Sequence, residues 1–139
     1  MFKKILVPLD GSTLAEGIIP RVEWLAKIHD AEVTLLRVAE AHTFPGIDPV
    51  QHQVAVVREA EEYLAQVEDN LRSVGVKTQA VVRYGHEAQE IVEHARTRDF
   101  DLIAMSTHGR TGITQFVLGS VASKVIHTAT VPILLCRVC

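Results

Sequence analysis

Short apolar runs alternate along this chain with longer stretches that have helical periodicity. The apolar runs are Ile5 to Leu9, Val33 to Val38, Val76 to Arg83, Leu102 to Met105 and Val131 to Cys136. Runs of this length, rich in Val, Ile and Leu, are typical of strands that a parallel sheet buries on both faces. The third run differs, because apolar and polar residues alternate along it. That alternation predicts an edge strand.

Four stretches with a helical pattern separate the predicted strands. The clearest one has apolar residues at spacings of four, three, four and three, namely Ala60, Leu64, Val67, Leu71 and Val74. Asp48-Pro49 is predicted to begin this helix and Gly75 to end it. In the first helix, Ser12 is a candidate N-cap, and Pro20 predicts either a kink or a helix that begins near it. Ala39 to Pro49 is predicted to be a surface loop.

Five strands that alternate with four helices predict an α/β fold, a doubly wound parallel sheet with helices on both faces. Right-handed β–α–β crossovers place the helices in this way. The length of 139 residues, with 47% hydrophobic and 22% charged residues, predicts one domain over residues 1–139. In such sheets, ligands bind beyond the carboxyl ends of the strands, where the strand order reverses.

The composition argues against several classes of partner. The formal net charge is −3 and aromatic residues make up 5% of the chain, so we expect no binding to nucleic acid. No apolar run approaches the ~20 residues that a membrane-spanning helix needs, so we expect no membrane partner and a cytoplasmic location. Cys136 is predicted to lie in the core and Cys139 at the chain end, with no disulfide between them.

Polar residues and glycines collect after the first and fourth predicted strands. Asp10-Gly11-Ser12 follows the first strand, Ser106 to Gly112 follows the fourth, and Gly119-Ser120 opens the last helix. A helix that begins with glycine is a ready anion site, since its free N–H groups and its dipole point at the ligand. Arg110 can neutralise phosphate charge or be solvated. The Asp10 carboxylate would repel phosphate, so it is better suited to bind a base amine, a ribose or a metal. The glycines, taken alone, could also simply form tight turns.

These residues resemble the universal stress protein family over essentially the whole chain. The matching segments are Ile5 to Ser12, Met105 to Gly112, Leu118 to Ala122 and Val131 to Leu135. ATP-binding members have the pattern G-x-x-G, nine residues, then G-[ST]. Here nine residues separate Gly109 from Gly119-Ser120, and Ser106 replaces the first glycine.

The resemblance implies a Rossmann-like five-stranded sheet in the order 3-2-1-4-5. It also implies a site for ATP, ADP or AMP, with Mg²⁺ or Mn²⁺ bridging the phosphates. Asp10 and the backbone of Val38 would contact the adenine end, and Pro8 and Ser106 would lie near the ribose.

The phosphate contacts that the resemblance implies come from the loop after the fourth strand and from the last helix. Gly109, Gly119, Ser120 and Val121 would make them. No catalytic or metal-ligating residue is assigned. The candidate nucleotide-binding residues together are Pro8, Leu9, Asp10, Ser12, Val38, Met105, Ser106, Gly109, Arg110, Gly119, Ser120 and Val121.

The function that follows is a nucleotide-binding switch in the stress response, with slow or no hydrolysis. The chain lacks the Walker pattern, and it lacks the His-x-x-His element of related nucleotidyl transferases. One alternative is a nucleotide-free dimeric stress or chaperone-like protein, and a second is a slow ATPase. The run Val131 to Cys136 would be an apolar sheet edge in the implied order, so we expect a homodimer formed through it.

Two further features have competing explanations. His86, Glu90, Glu93 and His94 share one face of the third predicted helix, which can bind a metal but more often is a solvated polar face, and we favour the latter. His108 either contacts phosphate or stabilises its own loop. Trp24, on the first predicted helix, is expected to pack in the core.

Overall fold

The computed structural model describes residues 1–40, 45–108 and 118–137. The strands are β1 (Lys4–Pro8), β2 (Glu32–Glu40), β3 (Lys77–Gly85), β4 (Leu102–Ser106) and β5 (Ile133–Cys136). The helices are α1 (Ile19–His29), α2 (Pro49–Ser73), α3 (Glu87–Thr97) and α4 (Ser120–Thr128), and a 3-10 turn covers Ala15–Ile18. The strands form one sheet in the order β3-β2-β1-β4-β5, and every pair is parallel. The predicted fold class and strand order are therefore confirmed, as is the edge position of β3.

Two apolar layers cover the faces of the sheet. On one face, α1 and α2 pack on alternate residues of the strands, such as Ile5, Val7 and Val33. On the other face, α3 and α4 pack on the intervening residues, such as Leu6 and Ile103. The near-complete burial of these strand residues on both faces explains why the strands appear in the sequence as continuous apolar runs.

The end of β1 lies at the switch point of the sheet. β1 pairs with β2 on one side and with β4 on the other. Beyond Pro8, the Leu9 amide still donates to the Leu36 carbonyl at 2.9 Å, so the following residues emerge beside the end of β2. The two polar segments that the sequence singled out therefore begin on neighbouring strands.

Several element boundaries differ from the sequence expectations. The first helix has no side-chain cap from Ser12, which instead accepts a hydrogen bond from the Ala15 amide at 3.1 Å and so closes the 3-10 turn. The α-helix begins at Ile19, and Pro20 occupies its first turn, where a missing N–H is harmless. β2 continues to Glu40, so the predicted loop starts later. β5 begins two residues later than the predicted run.

The expectation that Trp24 packs in the core is wrong. Its exposed fraction is 64%, and Ile28 one turn later is 58% exposed. The buried face of α1 is carried by Val22 and Ala26 instead. In the part of the chain that the structure describes, no helix combines the length and the apolar character that crossing a bilayer requires.

Candidate functional site

A cavity of about 250 Å³ opens at the carboxyl ends of β1 and β4. Most of the residues predicted from the sequence line it, namely Pro8, Leu9, Asp10, Val38, Met105, Ser106, Gly119, Ser120 and Val121. Ser12 supports Asp10 from outside the lining. Gly109 and Arg110 lie outside the described residues. The structure thus brings together residues from β1, β2, β4 and α4 that are far apart in the sequence.

The turn after β1 holds the Asp10 carboxylate in a defined orientation. The Oδ1 atom of Asp10 accepts hydrogen bonds from the Ser12 amide at 2.9 Å and from the Ser12 hydroxyl at 2.5 Å. Gly11 has a φ of +86°, a value that side chains rarely tolerate. The geometry of this turn therefore decides where the carboxylate points within the cavity.

Ser106, which replaces the first glycine of the family pattern, uses its side chain to brace the cavity wall. Its hydroxyl donates to the Ala15 carbonyl at 3.1 Å, and the residue is 7% exposed. The hydroxyl thereby joins the end of β4 to the 3-10 turn that follows Asp10. The substitution adds a buried hydrogen bond between two parts of the cavity wall.

The opposite end of the cavity is formed where β4 ends and α4 begins. Gly119 is the N-cap residue of α4, and its amide donates to the Thr107 carbonyl at 2.9 Å. A Cβ at Gly119 would lie 2.7 Å from that same carbonyl oxygen. His108 lines the cavity here and is buried, and its Nδ1 lies 3.0 Å from the Thr107 hydroxyl. This arrangement directs the positive end of the α4 dipole towards the cavity.

Two carboxylates at the cavity mouth were missed by the sequence analysis. Glu40 ends β2 and Glu87 opens α3, and both line the cavity. Glu40 comes two residues after the predicted second strand and Glu87 four residues after the predicted third strand, so the rule that ligands bind beyond strand ends points to both. Glu40 was missed because it lies within Ala39 to Pro49, which the sequence predicts to be a surface loop.

A second cavity of about 410 Å³ adjoins the first and shares Asp10, Val38, Glu40 and Glu87 with it. Arg37 and Tyr63 also line it. The Tyr63 hydroxyl donates to Oε2 of Glu16 at 2.9 Å. Burial, and then the hydrogen bond to the Glu16 carboxylate, raise the pKa of Tyr63, so this phenol keeps its proton and remains a donor.

The polar face of α3 is only in part the solvated face that we favour, because one of its two histidines is enclosed. His94 is 5% exposed, and its ring lies 5.6 Å from the Phe100 ring, centroid to centroid. Arg83 reaches between Glu90 and His94, at 3.1 Å from Oε2 and 3.2 Å from Nδ1. Within the described ranges, no group of three His, Cys, Asp or Glu side chains could hold a metal ion, and the guanidinium beside His94 would repel one.

We predict that His94 makes the protein less stable in mild acid. Burial, and then the nearby cations Arg83, Arg98 and Lys4, hold the pKa of His94 below its ordinary value of 6.5. The unfolded chain therefore binds this proton at a higher pH than the folded chain. The stability contribution is complete above about pH 6.5 and is lost as the pH falls towards the lowered folded pKa.

Thermal melts between pH 7.5 and pH 5 measure this effect. The wild type should lose more thermal stability across the window than His94→Gln, in which the group no longer titrates. A difference of about 1 kcal/mol would shift Tm by roughly 4 °C in a domain of this size. Parallel curves for the two proteins would contradict the assignment to His94.

Comparison with known proteins agrees with the fold and with the predicted family. Residues 1–137 match the model of the universal stress protein family. The chain is 34% identical to Universal stress protein MJ0531 of Methanocaldococcus jannaschii, over 99% of this chain and 83% of that protein. The solved structure of protein MJ0577 superposes with a TM-score of 0.89 at 30% identity, over 97% of this chain and 95% of the other.

A more distant solved structure shares the fold and contains a ligand. The universal stress protein from Archaeoglobus fulgidus in complex with dAMP superposes with a TM-score of 0.73 at 20% identity, over 96% of this chain and 97% of the other. The family match covers nearly all of the chain, and the sheet order agrees with it. This chain belongs to the universal stress protein family.

Proposed function

We propose that this protein binds an adenine nucleotide in the cavity at the ends of β1 and β4 and acts as a nucleotide-dependent switch in the stress response. The observation that carries the proposal is the polarity of the cavity. One end has the Asp10 carboxylate, and the other has the glycine-capped start of α4. The dAMP complex of the Archaeoglobus fulgidus relative supports an adenine ligand for this fold.

Each end of the proposed nucleotide matches a chemical feature of the cavity. The Asp10 carboxylate accepts a hydrogen bond from the 6-amino group of adenine, while Leu9, Val38 and Met105, all nearly buried, offer apolar contacts to the base. The N–H groups at the start of α4 bind the phosphates, because a glycine cap adds no side chain that would occupy them.

A divalent cation fits this arrangement when the phosphate oxygens of the nucleotide are its ligands. The described residues hold no three-ligand group of carboxylate, His or Cys side chains, and Asp10 is assigned to the base. Mg²⁺ ordinarily keeps several waters and binds through substrate phosphates. When bound, it would neutralise phosphate charge, and the chain's own part is to hold the nucleotide around it.

The proposal is tested by acid extraction of the purified protein and by calorimetric titration with ATP, AMP and GTP. We expect a released adenine nucleotide, or binding of ATP in preference to GTP. Chelation with EDTA should weaken ATP binding more than AMP binding, since AMP has one phosphate. Failure to bind any of the three nucleotides would favour the nucleotide-free interaction protein instead. Hydrolysis of ATP at about 1–100 s⁻¹, the rate typical of kinases, would contradict a switch with slow or no hydrolysis.

We also propose that two copies associate through β5. This strand is at one edge of the sheet, and its residues Ile133, Leu134 and Leu135 are only partly buried. An apolar strand edge left open invites pairing with another chain, and a two-fold axis would let the two β5 edges pair with each other.

We predict that Leu135→Pro yields a monomer. The Pro132 and Cys136 carbonyls accept hydrogen bonds from the β4 side, from Ile103 and Thr107. Backbone groups alternate in direction along a strand, so the Leu135 amide points to the open edge, and proline removes that donor. Leu135→Ala is the matched control, because it loses the side chain but keeps the amide. Light scattering should find the wild type and the alanine variant dimeric. A monomeric wild type, or a proline variant that stays dimeric, would refute the proposed interface.

A further inference from the structure

Arg37 occupies a position that the pattern of β2 reserves for the core. Val33 and Leu35 point to the α2 side of the sheet and are fully buried. Arg37 continues that alternation at the end of the strand, and it is 8% exposed. A buried guanidinium carries a desolvation penalty that an apolar residue would avoid. An arginine at this position is therefore expected to make contacts that an apolar residue could not make.

The guanidinium lies directly against the turn that carries Asp10. A Cβ built on Gly11 would be 2.7 Å from Nη1 and 3.2 Å from Cζ of Arg37. The absence of a side chain at Gly11 is what lets the guanidinium approach the backbone so closely. The turn after β1 thus rests on the end of the Arg37 side chain.

Contacts on the other side hold the guanidinium in place. Its Cζ lies 5.2 Å from the centroid of the Tyr63 ring, within the range of a cation–π interaction. Nη2 also lies 3.7 Å from Oε1 of Glu59, but that side chain is 72% exposed, so the solvent-screened pair contributes little and the Tyr63 ring is the main contact. Both partners belong to α2. Tyr63 is itself fixed by its hydrogen bond to Glu16 in the 3-10 turn. Arg37 is therefore clamped between α2 and the turn.

The same turn determines the orientation of the Asp10 carboxylate. Ser12 binds Oδ1 of Asp10 through its amide and its hydroxyl, so a displaced Gly11 backbone would displace the carboxylate with it. Arg37 therefore connects α2 to the turn that holds Asp10.

We propose that Arg37 is a positioning residue that aims the Asp10 carboxylate at the 6-amino group of the bound purine. Arg37 thereby contributes to base selectivity without contacting the nucleotide. This inference rests on the proposed function, since it needs Asp10 to contact the base.

The test measures the affinity for ATP and for purine riboside triphosphate, which lacks the 6-amino group. Titrations use the wild type, Arg37→Met, Asp10→Ala and the double variant. The wild type should prefer ATP by about tenfold or more, the usual loss when a hydrogen bond to a charged group is removed. Arg37→Met should lose most of that preference, and the double variant should behave like Asp10→Ala alone. Simple destabilisation would instead lower both affinities and leave their ratio intact.

Arg83→Met is the matched control, because Arg83 is also a partly buried arginine paired with a glutamate but contacts α3 instead of the turn. It should keep the wild-type ratio. Arg37→Lys retains the charge without the planar group and should give an intermediate ratio, and it replaces Arg37→Met if the latter does not fold. The positioning role is overturned if the Arg37 variants keep the wild-type ratio of ATP affinity to purine riboside triphosphate affinity. It is also overturned if the losses of ATP preference in the two single variants add up in the double variant. A wild type that binds neither triphosphate would instead overturn the proposed function.

Discussion

Gly119→Ala should weaken nucleotide binding by about 100-fold or more while the protein still folds. The added Cβ would lie 2.7 Å from the Thr107 carbonyl oxygen and 3.4 Å from the His108 Cα. Because these are backbone atoms, the start of α4 or the end of β4 must move. The φ of Gly119 is −59°, so the glycine is needed for space and not for its backbone conformation. A shift there would misplace two or more N–H groups from the phosphates, and each such hydrogen bond to a charged group contributes about 1.5–3 kcal/mol.

Gly17→Ala is the matched control for this prediction. Gly17 lies in the 3-10 turn beside the same cavity wall, but a Cβ there would meet only the Ser106 hydroxyl, at an ordinary 3.9 Å. Calorimetric titration with ATP should find the Gly17 variant close to wild type. Thermal melts of both variants should retain one cooperative transition, because both changes lie outside the buried core. Wild-type ATP affinity in Gly119→Ala would mean that this segment is only a tight turn.

Asp10→Ala should weaken ATP binding by roughly ten- to a hundred-fold and remove the preference for a 6-amino purine. The variant loses one charged acceptor, which corresponds to about 1.5–3 kcal/mol, and it adds no bulk to the cavity. Its affinity for purine riboside triphosphate should change little, because that ligand has no amine for Asp10 to bind. Titration of both triphosphates into the wild type and the variant gives the comparison.

Ser12→Ala provides a graded companion to Asp10→Ala. It removes the hydroxyl that donates to Oδ1 of Asp10 but keeps the amide that donates to the same atom. We expect a smaller loss of ATP affinity with part of the base preference retained. If Asp10→Ala lowered the affinity for both triphosphates equally, the carboxylate would be acting on the ribose or the phosphates and not on the base.

The sequence predicted those residues of the candidate site whose side-chain chemistry and position beside a strand or helix end both point to a ligand. Asp10 and Gly119 each stand at the end of a strand or the start of a helix, and both line the cavity. Glu40 and Glu87 were missed because their place at the cavity depends on β2 pairing with β1 and on α3 packing over β2, which the local patterns do not contain. Ser106 stands where the family pattern has a glycine, but only the structure reveals that its hydroxyl binds the Ala15 carbonyl.

Hydrophobic periodicity also failed to predict the burial of residues whose surroundings come from distant parts of the chain. Trp24 lies on a helix with a recognisable apolar pattern, yet it is 64% exposed, because α1 buries only the face that carries Val22 and Ala26. His94 shares a helix face with charged residues, yet Arg83 and Phe100 enclose it. In each case the side-chain direction follows from the helical repeat, but the identity of what lies opposite does not.

The sequence by itself determined the alternation of strands and helices, the doubly wound class of fold, and the two polar segments that follow β1 and β4. These features are local, because period, capping and turn chemistry act over a few residues. The tertiary structure alone decided that Arg37 is buried beneath Gly11, that Ser106 braces the 3-10 turn, and that the Thr107 carbonyl leaves no room for a side chain at Gly119. The first two contacts join segments that the pairing of parallel strands brings together, and the third joins the end of β4 to the start of α4. Because protein interiors are closely packed, a shift of about one ångström at any of them would be felt.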